Sequence, residues 1–285
     1  SIFEKAKSFG ISRSVAIIAI DKLMRIGQIC MLPKEAPKAD SLGPFVEHEG
    51  MKIYCYPAEL DQAISLMLMD GHGWESFESE TLGSFLSEGD TVADIGANIG
   101  MFTMSSSRLV GNAGRVYAFE PIQANFSLLQ KNIVANKLVN VQAFCTAVAH
   151  DSGIVTMFLN PKNPGDHRLW TVDDKREKVD VPCVKLDGFI PDVKIDLMKI
   201  DVQGAEYLVL DGARELIRKS KKMVLMAEFW PAGLKMLLKS EKAFEELLVE
   251  LGFKTILHMD GDNRRLIDVM GKLDKLIEPY STNFT

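Results

Sequence analysis

Cysteine is scarce in this 285-residue chain, and none of the four cysteines stands in a C-x-x-C pair. A zinc site or a redox-active pair of thiols is therefore poorly supported. Buried free thiols in a reducing compartment are the simplest interpretation. We expect a cytoplasmic protein.

Long hydrophobic runs and an excess of basic residues are also missing. The most apolar stretch, residues 15–20, is too short to span a bilayer and is followed by Asp21 and Lys22, so we interpret it as a buried helix face. The chain has 33 lysines and arginines against 39 aspartates and glutamates, a net charge of -6. A protein that wraps nucleic acid needs a basic face. We therefore expect neither a membrane span nor nucleic acid as the partner.

The composition, with 47% hydrophobic and 25% charged residues, is typical of a globular protein. At this length the chain has the mass for one large core, or for one core and a small accessory domain. Helical spacing over residues 2–28, a proline-rich linker and a hairpin pattern at 45–56 precede a predicted helix at Glu59–Met69. We interpret residues 1–72 as an N-terminal cap of helices and a β-hairpin.

From residue 73 onward, short apolar segments alternate with amphipathic ones. Apolar strands buried on both faces and separated by helices indicate a doubly wound, mostly parallel sheet. An α/β domain over 73–285 is therefore predicted, with a β-hairpin insertion around 153–184 that carries a polar loop. The predicted strands are Thr91–Ile95, Arg115–Phe119, Val141–Cys145, Asp196–Ile200, Met223–Ala227 and Lys254–His258, and the predicted helices are Phe102–Val110, Ile122–Ala135, Ala205–Lys219 and Lys242–Leu251.

The first strand of this domain ends in a glycine turn, DIGANIG over residues 94–100. Gly96 and Gly100 permit backbone angles that other residues avoid, and they let a ligand lie against the main chain. A dinucleotide site prefers G-x-G-x-x-G, with a helix N-terminus facing the pyrophosphate. The spacing here favours a cofactor without phosphate, which has an amino-acid end and a nucleoside end. We predict that this cofactor contacts Asp94, Gly96 and Gly100, and that Asn98 reaches its amino-acid end.

Glu120 ends the second strand of this domain, about 20 residues after the glycine turn, where an acid accepts hydrogen bonds from both ribose hydroxyls. The structural alternative is an acid at a helix N-terminus, since Pro121 stands at a plausible first helical position. Thr146 and Ala147, just past the third strand, are placed to line an adenine ring. Together these residues predict a nucleoside site.

The motifs resemble those of the FkbM family of class I S-adenosylmethionine-dependent methyltransferases. The resemblance runs from about Gly73 to about Trp230, and KIDVQGAE at residues 199–206 is its most specific part, although the family commonly has glutamate where Gln203 stands. It implies a seven-stranded Rossmann-like sheet, S-adenosylmethionine as cofactor, and methylation of a hydroxyl on a sugar, glycan or other small-molecule acceptor. The matching segments are Gly89–Gly100, Ala118–Pro121, Val184–Asp187 and Leu197–Glu206.

Polar residues at the carboxyl ends of the predicted strands are the candidates for chemistry, because ligands bind at that edge of a doubly wound sheet. A hydroxyl acceptor needs a base or a metal to take its proton. Asp201 and Glu228 directly end apolar strands, and His167 lies in the insertion loop. An imidazole titrates near neutrality. We predict these three as catalytic residues, with Asp201 also contacting the cofactor.

Substrate contacts are predicted for Arg168, Glu206 and Trp230. The structural alternative for Glu206 is again an acid at a helix N-terminus. If a divalent metal binds, Asp201 and Glu228 are its ligands. We do not expect one, because Glu228 is followed by Phe229 rather than by a second ligand.

Two other classes of protein share part of this pattern. An NAD(P)-dependent oxidoreductase has the same sheet and an acid at the position of Glu120, but it would carry a third glycine and lack the 201–206 motif. A non-catalytic scaffold of the same fold is disfavoured by the intact Asp94, Gly96, Gly100 and Glu120. The oligomeric state is left open.

Overall fold

A computed structural model describes most of the chain between residues 44 and 268. It covers 44–253, except for 49, 62–63, 70–81, 84, 172–174, 191–192, 229–230 and 239–241, together with 255–260 and 263–268. The predicted N-terminal helix at 2–28 and the candidate residue Trp230 lie outside the described residues. No helix in the described part is long and apolar enough to cross a bilayer.

The centre of the fold is a parallel sheet of five strands, ordered β10-β9-β3-β4-β5. The chain builds outward from β3 through β4 to β5, and later in the other direction through β9 to β10. The order therefore reverses between β3 and β9, which is where ligands bind in sheets of this kind. These strands are β3 (Thr91–Ile95), β4 (Arg115–Phe119), β5 (Val141–Phe144), β9 (Leu197–Ile200) and β10 (Val224–Ala227).

Helices cover both faces of this sheet, which confirms the predicted doubly wound α/β class. Consecutive residues of β4 show the two faces. Val116 packs in a cluster with Phe102, whereas Tyr117 packs in a different cluster with Leu216. The helices are α1 (Ile64–Met69), α2 (Met101–Val110), α3 (Gln123–Ala135), α4 (Glu206–Asp211), α5 (Arg214–Lys219), α6 (Pro231–Leu238) and α7 (Lys242–Glu250).

Smaller sheets flank the central one. An antiparallel hairpin, β1 (Phe45–His48) with β2 (Met51–Tyr54), stands at the N-terminal side. A three-stranded sheet of β6 (Ala147–Val148), β7 (Gly153–Leu159) and β8 (Glu177–Val184) lies where the sequence predicts the insertion. The division of the chain at residues 72 and 73 stays a prediction.

The predicted count of seven strands is wrong for the described residues, where the parallel sheet has five. The strand predicted at Lys254–His258 is β11 (Thr255–Asp260), and its partner among the described strands is β12 (Asn263–Asp268), with which it forms an antiparallel hairpin. An isolated apolar strand in sequence does not reveal which partner it will choose, so this segment was assigned to the wrong sheet.

Three helix predictions are also corrected. The single helix predicted at Ala205–Lys219 is divided into α4 and α5, because Gly212 packs tightly against the carbonyl group of Ala149. The sequence prediction missed α6, which begins at Pro231, a residue suited to the first helical position. Helix α1 begins at Ile64 rather than at Glu59.

Gly212→Ala tests the tight contact that separates α4 from α5. An added methyl group would stand 2.0 Å from the carbonyl oxygen of Ala149, so the backbone at residue 212 and the backbone at Ala149 must move apart. We expect a loss of about 1–3 kcal/mol, seen as a fall of several degrees in Tm by circular dichroism. The matched control is Gly153→Ala, where the methyl group meets nothing within 4 Å. Equal Tm changes in the two variants would contradict this account.

Candidate functional site

A crevice opens at the carboxyl ends of the parallel strands, on the side where the strand order reverses. Counting its open mouth, it holds about 650 Å³ of space that no protein atom occupies. The turns after β3, β4, β5 and β9 contribute to its wall, as does the tip of the β7–β8 hairpin. The predicted site residues in its wall are Gly96, Asn98, Glu120, Thr146, Ala147, His167 and Asp201.

The glycine turn after β3 is held by close backbone contacts. Gly96 has a φ of 81°, and a Cβ atom there would stand 1.9 Å from the carbonyl oxygen of Asp201. Gly100 has a φ of 98° and packs against Leu129, so it supports the start of α2 and does not line the crevice. Asn98 also adopts a left-handed conformation, with a φ of 51°. The turn is therefore shaped by packing as well as by ligand access.

Asp94 lies beneath this turn and not in the crevice wall. Its side chain is fully buried, and it accepts a 2.5 Å hydrogen bond from the Thr103 hydroxyl. The Lys199 ammonium lies 3.7 Å from the other carboxylate oxygen and donates to the carbonyl of Gly96 at 3.1 Å. Burial raises the pKa of Asp94, and the charge of Lys199 opposes that rise. Direct contact between Asp94 and a cofactor thus does not fit the structure, which gives Asp94 a supporting position.

Glu120 stands in the crevice wall and connects two elements of the site. One carboxylate oxygen accepts from the backbone N–H of Asn98 at 2.9 Å, and the other from the N–H of Ile122 at 2.9 Å and from the Asn125 amide at 3.3 Å. A carboxylate offers about four acceptor positions, so capacity remains for a ligand. Burial raises the pKa of Glu120 to about 7, although these hydrogen bonds favour the charged form. Glu120 is therefore both an acid near the N-terminus of α3 and a group that faces the crevice.

Asn98 lines the crevice and carries an unused hydrogen-bond acceptor. Its backbone N–H is taken up by Glu120, whereas its side-chain Oδ1 is buried and has no partner among the described residues. A buried acceptor without a donor is costly unless a ligand supplies one. The atom therefore fits a ligand with an ammonium group, as predicted for the amino-acid end of the cofactor.

The opposite part of the wall is apolar and includes the predicted adenine residues. Ala147 lines it together with Met157 and Leu169. The Thr146 hydroxyl donates to the carbonyl of Pro182 at 3.0 Å, so it secures the insertion sheet while the residue lines the crevice. This end of the crevice suits a flat ring.

Gln203 joins the two predicted catalytic carboxylates. Its side-chain amide nitrogen donates to Asp201 at 2.9 Å and to Glu228 at 2.9 Å, and the residue has a left-handed φ of 55°. The side chain of Glu228 reaches solvent. Crowding by protein atoms and then the charges of Asp201 and Glu206 raise its pKa to about 8. The predicted convergence of Asp201 and Glu228 is thus present, with an amide between them.

Lys199 and Gln203 are the residues of this site that sequence reasoning missed. Lys199 stands inside an otherwise apolar strand, and its ammonium also lies 3.4 Å from Asp201. A long charged residue within a buried strand was the available signal. For Gln203, nothing short of the left-handed turn reveals that its amide faces two carboxylates.

The predicted substrate contact by Glu206 does not fit the structure. The residue is completely buried, and its carboxylate accepts from the backbone N–H of Gly204 at 3.1 Å and of Val202 at 3.3 Å. It therefore ties down the turn before α4, which is the structural alternative drawn from the sequence. Burial raises the pKa of Glu206 to about 7.

His167 lines the crevice but is not suited to act as a base. Its Nδ1 accepts a hydrogen bond from the backbone N–H of Asn160 at 3.0 Å, so the neutral ring carries its proton on Nε2. Burial, aided by the charge of Arg176, lowers the pKa of His167 to about 4. That His167 takes a proton from the acceptor stays a prediction, which the structure disfavours because the remaining nitrogen is a donor and burial lowers the pKa of the imidazole.

Arg168 is engaged by its neighbours rather than by the crevice. Its guanidinium pairs with Asp166 and lies 5.0 Å from the centre of the Trp170 ring. Arg176 pairs with the same aspartate at 3.1 Å. Trp170 in turn donates to the carbonyl of Gln203 at 3.2 Å. Arg168 is not among the residues of the crevice wall, and its contact with a substrate remains a prediction.

Within the described part of the chain, no group of three or more histidines, cysteines, aspartates or glutamates is arranged to hold a metal ion. Asp201 and Glu228 are bridged there by the Gln203 amide.

Comparison with known proteins identifies the family of this chain. A model described as the methyltransferase FkbM domain matches residues 94–254, more than half of the chain. Methyltransferase 1 of Beauveria bassiana (strain ARSEF 2860) is 29% identical over 143 residues, which cover 42% of this chain and 57% of that protein. The 31-O-demethyl-FK506 methyltransferase FkbM of Streptomyces tacrolimicus is 30% identical over 162 residues, covering 46% and 62%.

Among solved structures, the methyltransferase FkbM of Methylobacillus flagellatus KT is similar, with a TM-score of 0.41 and 17% identity. The alignment covers 67% of this chain and 50% of that one. The chain thus spans less than two thirds of the length of these three proteins.

Glu206→Gln tests whether this carboxyl is buried at a cost that depends on pH. The folded pKa of about 7 lies above the ordinary value of 4.5, so wild-type stability falls as pH rises from about 4.5 to about 7. We expect the variant to match wild type near pH 5 and to gain up to about 3 kcal/mol on it by pH 8. Urea unfolding at both pH values measures this. Parallel pH profiles for the two proteins would contradict the assignment.

Proposed function

Since this chain belongs to the methyltransferase FkbM domain family, we propose that it transfers a methyl group from S-adenosylmethionine to a hydroxyl of a sugar, glycan or other small-molecule acceptor. The observation that carries this proposal is one crevice with two kinds of acceptor. Glu120 and Asn98 both line it, and the Oδ1 of Asn98 has no partner among the described residues. Those groups match ribose hydroxyls and an α-ammonium, respectively.

The charge of the crevice favours this cofactor over a dinucleotide. No lysine or arginine is among the described residues in its wall, whereas Glu120 and Asp201 are. A pyrophosphate binds where N–H groups or cations face it, and here it would meet carboxylates. A sulfonium with an amino-acid end is complementary to the same charges. This argues against the NAD(P)-dependent oxidoreductase.

When bound, the cofactor supplies an activated methyl group for in-line transfer to the acceptor oxygen. The protein then needs to align the acceptor, exclude water and receive one proton. We assign the proton to the Glu228 carboxylate, which the Gln203 amide holds beside Asp201. Methylation of a hydroxyl would release the proton of that hydroxyl, and Glu228 would take it up as the new O–C bond forms. Glu228 thereby replaces His167 as the base.

Support for an oxygen acceptor comes from one relative. The Streptomyces tacrolimicus protein is named a methyltransferase of an O-demethyl compound. The exposed position of Glu228 leaves room beside it for a bulky acceptor. Both points favour a hydroxyl, and a screen of candidate acceptors that includes RNA tests the choice.

Cofactor binding is tested by calorimetry with S-adenosylhomocysteine and with NAD. We expect binding of the first and none of the second. Glu120→Gln should weaken binding of the first by about tenfold or more, because its amide nitrogen would face backbone N–H donors and lose ribose acceptors. Glu215→Gln, on the exposed surface of α5, is the matched control. Wild-type affinity in Glu120→Gln would defeat the ribose assignment.

The base assignment predicts a pH profile. At saturating cofactor and acceptor, kcat should rise with pH through an apparent pKa of about 8, because Glu228 acts only when deprotonated. Glu228→Gln should lower kcat at least tenfold or so and flatten that rise, with cofactor affinity kept. A limb near pH 6.5 that disappears in His167→Phe would instead return the role to His167.

A further inference from the structure

The tip of the β7–β8 hairpin forms part of the crevice wall. We call residues 160–169 the insertion tip. Pro164, Gly165, His167 and Leu169 from this segment line the crevice, on the same stretch of wall as Ala147. The proposed methyl-transfer step uses none of these residues.

The insertion tip is attached to the acid that faces the ribose. The amide nitrogen of Asn125 donates to the carbonyl of Pro164 at 3.0 Å and to the Glu120 carboxylate at 3.3 Å. The amide oxygen of Asn125 accepts from the Tyr56 hydroxyl at 2.7 Å. Because one buried side chain makes all three bonds, the position of the insertion tip is tied to that of Glu120.

The insertion tip is also internally braced. Asp166 is buried, accepts from the Asn160 amide at 2.8 Å, and pairs with Arg168 and Arg176. The backbone N–H and carbonyl of Arg168 bond to those of Phe158 across the hairpin. Such bracing orders side chains before a ligand arrives, which reduces the entropic cost of binding.

His167 is the polar group that this bracing aims at the crevice. The bond from the Asn160 N–H to Nδ1 fixes both the ring orientation and the tautomer. Nε2–H is left as a donor, and no described residue accepts from it. A neutral, oriented donor is what recognises a ring nitrogen, because such a nitrogen is an uncharged acceptor in the plane of a flat base.

We propose that the insertion tip is the base-recognition wall of the cofactor site, in which the Nε2–H of His167 donates a hydrogen bond to a ring nitrogen of adenine. This inference rests on the proposed function, since it assigns the nucleoside end of the same cofactor. Asn125 is then a positioning residue, because its bonds fix the insertion tip relative to Glu120. Asn98 serves the other end of the ligand.

The test compares S-adenosylhomocysteine with its 1-deaza, 3-deaza and 7-deaza analogues, each of which lacks one ring nitrogen, in calorimetric titrations. Against wild type, one analogue should bind about tenfold more weakly than the parent, which is about 1.4 kcal/mol. Against His167→Phe, the parent should bind about tenfold more weakly, and the same analogue should lose no further affinity. A direct bond between the two groups predicts this coupling, which is confined to one ring nitrogen.

Two controls separate the insertion tip from its surroundings. Thr156→Ala removes an exposed side-chain bond to Asp180 elsewhere on the same hairpin and should leave all four affinities unchanged. Asn98→Ala should weaken the parent and every analogue by one common factor, because it acts at the amino-acid end.

The outcomes distinguish this inference from the proposed function. If wild type fails to bind S-adenosylhomocysteine, the proposed function fails. If wild type binds it and His167→Phe weakens the parent and all three analogues equally, His167 is only structural and the inference is overturned. Unchanged affinities in His167→Phe overturn it as well.

Discussion

Gly96 and the carbonyl group of Asp201 lie so close that a methyl group on Gly96 would stand 1.9 Å from the oxygen. This contact joins the turn after β3 to the turn after β9, at the point where the strand order reverses. Lys199 reinforces it by donating to the Gly96 carbonyl. Asn98 and Gln203, which belong to these two turns, both adopt left-handed conformations. Asn98 lines the crevice, and the amide of Gln203 lies between two carboxylates.

Several buried acids lie at this same edge of the sheet. The ammonium group of Lys199 lies near the Asp94 carboxylate, whereas the carboxylates of Glu120 and Glu206 each accept hydrogen bonds from two backbone N–H groups. Hydrogen bonds from N–H groups stabilise a carboxylate without adding positive charge to the crevice. Of these three acids, Glu120 is the one in the crevice wall, and an ordered carboxyl group there suits a cationic ligand and disfavours a phosphate.

Sequence reasoning placed residues correctly where position follows from local spacing, and it could not place those whose surroundings depend on contacts distant in sequence. The position of Glu120 at the end of a strand, about 20 residues past a glycine turn, is a local property. The choice for Glu206 between cap and ligand depends on burial, which the sequence left open. The prediction of His167 as a base rests on residue type alone, whereas the bond from the Asn160 N–H to its Nδ1 depends on the conformation of a loop. Trp230 is outside the described residues.

The insertion is hydrogen-bonded to two other parts of the crevice wall. Its tip is bonded by Asn125 to the side that holds Glu120, and Trp170, the next residue after the tip, donates to the carbonyl of Gln203. Gln203 in turn holds Asp201 and Glu228. Under the proposed function, a cofactor that orders the insertion tip would also stabilise the turn that holds Gln203 beside Glu228. A change in the insertion would then alter both cofactor binding and proton transfer.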